Sequence, residues 1–275
     1  MAASTFLKYY LKSTLRSAPL WGWSVGFMVF WLVIGIVEVL NSGMKYAPAE
    51  AKLGYAAAWY ATVTLIGLGS AATGLCRELA FSSIAARYLT KYSRLTSSKL
   101  YGSLVVGFII VCIVVSLVLL AIETPMYSRA LGINAVPKNI AGMIVTSIAF
   151  GALLYALSAA LEFGALAARK AKGIYFVSYI PLIASLGLGL AQVYANLGWV
   201  MVLSPFNAAT TLIFSYYAGV EPRQSSFIAW SSTAPSVPIY ALWASLLGWT
   251  AALSAIAIAL LRIQRGVGVE ELRLI

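Results

Sequence analysis

Long apolar runs separated by short polar segments dominate the hydrophobic pattern of this chain. Six runs reach the length of about 20 mostly apolar residues that a helix needs to cross a bilayer. These runs cover residues 20–40, 54–76, 100–122, 140–168, 174–192 and 239–261. The pattern predicts an all-α membrane protein with six transmembrane helices.

The segment 193–238, between the fifth and sixth runs, is only half apolar and is rich in Ser, Pro and aromatic residues. It is too mixed to predict a further span. A pair of re-entrant helices, with the broken backbone covered by protein, is one interpretation. An ordered outer loop is the other, and the sequence leaves both open.

Composition supports a bilayer as the solvent of this chain. Of its 275 residues, 61% are hydrophobic and only 10% are charged, whereas soluble domains carry about 25% charged residues. We therefore expect an N-terminal segment, 1–19, followed by one six-span transmembrane domain, 20–275. No soluble catalytic domain is predicted.

The distribution of the cations predicts the orientation, because cytoplasmic loops are enriched in Lys and Arg. With the N-terminus inside, 14 of the 19 Lys and Arg residues lie in inner segments and 5 in outer segments. Both termini are therefore predicted to be cytoplasmic, in a multi-pass protein of the plasma membrane. Because the net charge of +11 comes from cations between apolar runs, it indicates topology rather than nucleic-acid binding.

The N-terminal segment has an amphipathic pattern. Cations stand at every fourth position, and leucines stand one position before each cation. These residues are Lys8, Lys12 and Arg16, and Leu7, Leu11 and Leu15. A helix with this pattern lies in the membrane interface with its cations toward lipid phosphates, and Pro19 is expected to end it. A plain cytoplasmic anchor would give a similar pattern.

The inner loop 77–99 is the longest polar connection and carries five cations. Apolar residues recur in it at three- and four-residue spacing, which predicts a helix. Its cations, Arg87, Lys91 and Arg94, fall on a different face. Such a helix is suited to receive force from a cytoplasmic partner, or it is held only by anionic lipid.

Several kinds of chemistry are excluded or disfavoured by composition. The chain has no Asp and no His, which removes Ser-His-Asp catalysis and His-based zinc sites. It also lacks the Gly-x-x-x-x-Gly-Lys-[Ser/Thr] loop that cradles ATP phosphates. We expect no metal or cofactor on this chain and no disulfide between Cys76 and Cys112.

Three stretches resemble the permease subunit of an ABC-2-type ABC transporter. The residues are Arg77-Glu78, Ser98-Lys99-Leu100-Tyr101-Gly102 at the start of the third span, and Leu203-Ser204-Pro205-Phe206-Asn207 before the last span. The first two are similar to the family pattern Arg-x-Glu…Gly-Thr…Leu-Pro-Val-Ser…Gly-Lys-Leu. The chain departs from that pattern at Ser82-Ser83 and at Leu89-Thr90, where the family has Gly-Thr and a proline.

The resemblance implies a transport subunit without enzymatic activity of its own, and by analogy with the family it implies export. A second permease, identical or related, and two ATP-binding cassette subunits would be its partners, and ATP and Mg would bind those subunits. Glu78, Arg87, Lys91 and Arg94 would couple ATP hydrolysis to transport, and Pro205 and Asn207 would form the outer turn.

Small residues and one acid complete the candidate sites. Gly67, Ser70 and Gly74 lie in the second run, and Gly187 and Gly189 lie in the fifth. They permit close helix packing within the subunit, or, by the resemblance, belong to the seam between two permeases.

Among the acids, Glu162 lies inside the fourth run. Acids inside spans are functional candidates because a charge in lipid is costly. Glu162 is expected to pair with a cation or reach inward toward the interface, and a role in transport is the alternative. Glu38 and Glu123 are expected at the outer ends of spans, in reach of water.

Two other classes of function remain open from the sequence. One is a non-transporting scaffold subunit of a larger complex, and the other is a membrane-embedded enzyme that uses Glu, Ser or Cys. The sequence does not identify a substrate.

Overall fold

The computed structural model describes residues 2–41, 43–81, 97–168, 171–228 and 234–263. Helices make up nearly all of these residues, and the only β-type pairing among them is one bridge between Arg223 and Ser236. The predicted all-α class is confirmed.

Eleven α-helices occur in the described residues. In chain order they are α1 (Ala2–Leu15), α2 (Ala18–Trp21), α3 (Phe27–Asn41), α4 (Ala49–Phe81), α5 (Ser97–Leu131), α6 (Ile140–Ala167), α7 (Ala171–Val177), α8 (Ile180–Tyr194), α9 (Val200–Leu203), α10 (Pro205–Ala218) and α11 (Ile239–Ile263). A π-helical turn, Gly22–Gly26, joins α2 to α3, and a 3-10 helix, Gly43–Tyr46, precedes α4.

Four helical stretches in the described residues are long and apolar enough to cross a membrane. They are Ala18–Asn41, Ser98–Leu131, Ile140–Ala167 and Ile239–Ile263. They coincide with the first, third, fourth and sixth predicted spans, so the chain has the architecture of a multi-pass membrane protein.

The second predicted span lies within α4, which is a helix of 33 residues. Its length, about 50 Å at 1.5 Å per residue, exceeds a bilayer core. All residues from Tyr55 to Gly69 are buried by neighbouring helices. Because protein rather than lipid surrounds α4, its sequence tolerates Thr62 and Thr64, and its composition is less apolar than that of the four candidate spans.

The prediction of one continuous helix over 174–192 is wrong. The structure has two helices there, α7 and α8, with a break at Ser178 and Tyr179. Pro181 stands in the first turn of α8, where its missing N–H costs nothing. A proline in the helix interior would lose a hydrogen bond, so the helix restarts just before it.

The two ends of the bundle differ in what they carry. We call the end of the bundle that contains residues 43–48, 132–139 and 219–228 the upper end, and the opposite end the lower end. Residues of all three segments line one cavity there, and the Lys138 and Asn139 amides donate to the carbonyls of Tyr217 and Tyr216 at the end of α10. The lower end holds α1, which packs against α5.

An elbow joins α1 to the bundle at the lower end. Tyr10 packs on α5 where Gly107 has no side chain, and a Cβ there would lie 2.6 Å from the Tyr10 ring. The Trp21 indole donates to the Leu15 carbonyl at 2.7 Å. The chain breaks at Arg16 and Ser17, just before the predicted breaker Pro19, which stands in the first turn of α2.

Candidate functional site

A broken helix occupies the segment that precedes the last span. Ser204 caps the N-terminus of α10. Its backbone is extended, and its hydroxyl oxygen accepts a hydrogen bond from the backbone N–H of Asn207 at 3.4 Å. Pro205 fills the first helical position, where its fixed φ favours a helix start. The predicted turn is therefore a sharp corner between α9 and α10.

Helix α10 lies inside the protein. It has 14 residues, about 21 Å at 1.5 Å per residue, too short to cross a bilayer. Phe206 near its start packs on Phe150, ten residues into α6, with ring centroids 5.6 Å apart. Its last residues meet Lys138 and Asn139 at the upper end. The α9–α10 corner thus lies well below the upper end, and α10 rises from it.

Two buried amides hold this corner to α8. The Asn207 amide nitrogen donates to the Leu188 carbonyl at 2.9 Å and to the Gln192 side-chain oxygen at 3.1 Å. Gln192 in turn donates to the Ser225 carbonyl at 3.4 Å. Asn207 and Gln192 are both fully buried. Their side-chain amides provide the hydrogen bonds that water would otherwise give to these backbone carbonyls.

A buried acid and a tyrosine meet near the other end of α10. The Tyr217 hydroxyl lies 3.0 and 2.9 Å from the two carboxyl oxygens of Glu123 and 2.6 Å from the Ala135 carbonyl oxygen. One hydroxyl carries one proton, and a carbonyl can only accept. All three groups are satisfied when Tyr217 donates to Ala135 and accepts from a protonated Glu123.

Glu123 therefore does not reach water, contrary to the expectation from sequence. Helix α5 continues to Leu131, two turns beyond the predicted end of the span, and Glu123 is 0% exposed. Nothing in the spacing of Glu123 and Tyr217, which are 94 residues apart, indicated this contact. The available signal was that both are polar residues within apolar stretches.

The second acid near the upper end has a tyrosine partner as well. The Tyr55 hydroxyl lies 2.8 Å from the Gly35 carbonyl oxygen and 3.2 Å from a Glu38 carboxyl oxygen. Tyr127 donates to the Leu32 carbonyl at 3.3 Å. A Cβ at Gly35 would overlap the Trp59 indole at 2.7 Å, so α3 and α4 approach closely only because this residue is glycine.

A cavity of about 730 Å³ opens beside these contacts at the upper end. Its wall combines charged and polar groups with aromatic rings. Among the residues that line it are Glu50, Tyr55, Asn134, Lys138, Phe214 and Phe227. The cavity is large enough for a small amphiphilic molecule.

A second cavity, of about 320 Å³, lies at the lower end between α1, the π-helical turn, α4 and α5. Ser70 and Gly74, two of the predicted small-residue positions, line it. They face open space rather than another helix, and a Cβ at Gly74 would meet no atom within 4 Å.

The other predicted small residues divide into two groups. Gly67 packs against the π-helical turn, since a Cβ there would lie 2.9 Å from the Ser24 carbonyl oxygen. Gly189 faces α4, with Leu65 at 3.4 Å. Both serve packing within the chain, whereas Gly187 is exposed and has nothing within 4 Å of a Cβ position.

Glu162 lies in α6 and is 0% exposed. In the isolated chain it therefore does not reach the protein surface from this position. Arg169, two helical turns further along, lies outside the described residues.

The predicted coupling residues fall where the structure gives no side chains. Arg87, Lys91 and Arg94 lie outside the described residues, and Glu78 is in the last turns of α4 with its side chain not described. In the described part of the chain, no three His, Cys, Asp or Glu residues group as metal ligands.

Comparison with known proteins adds no assignment, because no family model and no curated protein matches this chain.

Proposed function

We propose that this chain is the transmembrane permease subunit of an ATP-driven ABC transporter, an exporter that works as a dimer with separate ATP-binding subunits. The observation that carries the proposal is the buried α9–α10 corner, which begins at the Leu203–Asn207 element of the family resemblance. The α1 elbow at the lower end gives further support.

The proposal includes six spans with both termini in the cytoplasm. The spans are α2–α3, α4, α5, α6, α7–α8 and α11, and α9–α10 is a re-entrant pair that enters from the upper, outer side. Helix α4 is long enough to cross, and α7 and α8 together cover 171–194. The 14-to-5 division of cations supports this orientation.

Labelling of single cysteines tests this topology, in a chain whose Cys76 and Cys112 have been replaced. Tyr46→Cys, at a residue that is 90% exposed, is expected to react with an impermeant maleimide in intact cells. Lys12→Cys and Arg262→Cys are expected to react only after permeabilisation. Reaction of Arg262→Cys in intact cells would contradict a cytoplasmic C-terminus.

A second permease fits best against the outward face of α8. Ile183 is 64% exposed, and Gly187, one turn later on the same face, is exposed as well. A small residue beside a protruding apolar one allows close helix approach in a membrane. Most of α4, by contrast, is already covered within the chain. Cross-linking is expected between two copies of Gly187→Cys, and Ser70→Cys, which faces the lower cavity, is the comparison.

Coupling to the ATPase is assigned to the loop 77–99, through Glu78, Arg87, Lys91 and Arg94. Charge reversal at Arg87 and Lys91 is expected to uncouple ATP hydrolysis from transport while expression is retained. Charge reversal at Lys45 and Lys52, in a predicted outer segment, is the matched control. Unchanged transport in the inner-loop variant would remove this loop from the mechanism.

Purification of the full chain from its native membrane tests the proposal as a whole. We expect an ATP-binding cassette subunit to co-purify, and vanadate-sensitive ATP hydrolysis in the complex. Co-purification with other membrane proteins and no ATPase would instead identify a scaffold subunit.

A further inference from the structure

The lower cavity has a mixed lining of hydroxyl and apolar groups. It is bounded by Tyr10 and Thr14 of α1, Ser24 of the π-helical turn, Gly74 and Leu75 of α4, and Phe108 of α5. Its volume, about 320 Å³, is at the lower end of the range for ligand sites. Irregular π-helical turns inside helices occur frequently at functional sites.

Two hydroxyls in this lining lack a partner. Thr14 is 8% exposed and Ser24 is 1% exposed, and neither side-chain oxygen has a hydrogen-bond partner among the described residues. Helical Ser and Thr often donate to the carbonyl one turn back, as Thr73 in the same wall does to Gly69 at 3.1 Å. Because an unpaired buried polar group is costly, Thr14 and Ser24 suit a ligand that brings a hydrogen-bond acceptor.

Cations lie on α1 and directly after its last residue, Leu15. Lys8, Lys12 and Arg16 are all exposed, and Arg16 immediately precedes Ser17, which lines the cavity. On an interfacial helix such cations meet lipid phosphates. The site therefore offers apolar side chains, two unpaired hydroxyls and, next to Ser17 of its lining, the cation Arg16.

We propose that the lower cavity binds one anionic phospholipid of the adjoining leaflet. An acyl chain lies against Leu75 and Phe108, an ester carbonyl accepts from Thr14 or Ser24, and the phosphate faces Arg16, which adjoins Ser17 of the lining. The cavity holds the ester and part of one chain, and the remainder of the lipid stays in the bilayer. The lipid thereby fixes the α1 elbow to the bundle, whatever the chain transports.

Filling the cavity tests the proposal. Gly74→Leu adds a side chain to the cavity wall without a backbone clash, and Gly248→Leu is the matched control, because a Cβ at Gly248 in α11 also meets nothing within 4 Å. The delipidated full chain is titrated with phosphatidylglycerol, and bound lipid is counted by native mass spectrometry. We expect Gly74→Leu to weaken binding at the tightest site at least tenfold and Gly248→Leu to leave it unchanged. Equal binding by both folded variants would overturn the site.

A milder pair of variants tests the chemistry of the site. Thr14→Val and Ser24→Ala each remove a hydroxyl with little change of shape, and the loss of one hydrogen bond is expected to weaken binding by about threefold to tenfold. Phosphatidylcholine, titrated in parallel, is expected to bind more weakly than phosphatidylglycerol. Equal affinity for the two lipids, or no effect of either substitution, would overturn the phospholipid assignment.

Discussion

Helices α4 and α11 are both long enough to cross a bilayer, but they meet different surroundings. In α4 every residue from Tyr55 to Gly69 is buried by protein. In α11 only four residues are buried, namely Leu242, Leu246, Ala257 and Leu261. The more apolar helix is therefore the more exposed one, and the helix with more Gly and Thr lies at the centre.

This difference teaches what hydropathy measures in such a chain. A side chain that faces lipid must be apolar, whereas one inside the bundle must fit its neighbours. Between these two helices, the more apolar composition therefore belongs to the one that is left open to lipid. Three matched pairs of substitutions and one single substitution can break or sharpen this comparison, and we take them from the largest expected effect to the smallest.

The largest effect is expected from Gly67→Leu in α4. Its Cβ would lie 2.9 Å from the Ser24 carbonyl oxygen and 3.1 Å from Met28, so α4 and the π-helical turn must separate. We expect a loss of more than about 3 kcal/mol in the free energy of unfolding and little folded protein in detergent. Gly248→Leu in α11 is expected to elute as wild type in size-exclusion chromatography. Similar yields of the two variants would contradict the assignment of α4 to the interior.

Truncation of a leucine gives the next effect. Leu65 in α4 is 0% exposed, whereas Leu247 in α11 is 53% exposed. Leu65→Ala leaves a cavity that protein cannot fill and is expected to cost about 3 kcal/mol. Leu247→Ala is expected to cost less than about 1 kcal/mol, since lipid chains replace the lost contacts. Unfolding by SDS in mixed micelles measures both, and equal costs would refute the comparison.

Two neighbouring tyrosines of α10 test the same comparison through the loss of a hydroxyl group. Tyr217 bonds Glu123 and Ala135 in the interior, with its ring 5.5 Å from Tyr60 of α4. Tyr217→Phe removes the hydroxyl that contacts both partners and is expected to cost about 2 kcal/mol.

Tyr216 faces α11 and only accepts from the Trp243 indole at 3.2 Å. Tyr216→Phe is the control and is expected to cost less than about 1 kcal/mol. Thermal unfolding followed by circular dichroism compares the two variants. A larger loss for Tyr216→Phe would show that the Glu123 contact is not a stabilising one.

The smallest effect is expected at Trp249, which attaches α11 to the broken helix. Its indole donates to the Leu203 carbonyl at 3.0 Å, and the residue is 49% exposed. Trp249→Phe is expected to cost about 0.5–1 kcal/mol through the lost hydrogen bond. Hydrogen exchange should increase at α9 and at the start of α10. No change in exchange there would mean that the Trp249 hydrogen bond does not hold the corner.

Much of the fold followed from the sequence, for local reasons. Four apolar runs each form a helix, namely 20–40, 100–122, 140–168 and 239–261. The reason is that the length of an apolar run decides whether its helix can cross a bilayer. Pro205 after Ser204 is a local signal for the start of α10, since capping acts over a few residues. The break at Ser178 does not show in the apolar content of 174–192, and Pro181 is the local signal for it.

The site depended on contacts that no local pattern contains. Glu123 and Tyr217, or Asn207 and Leu188, meet only because α5, α8 and α10 pack together. The two cavities likewise form between elements from distant parts of the chain. Composition and run length by themselves determined that this protein is helical and suited to a membrane, because every backbone group in lipid must be paired within its own helix. Only the tertiary structure decided which helix is central and which acids are buried, because those depend on how the helices pack against one another.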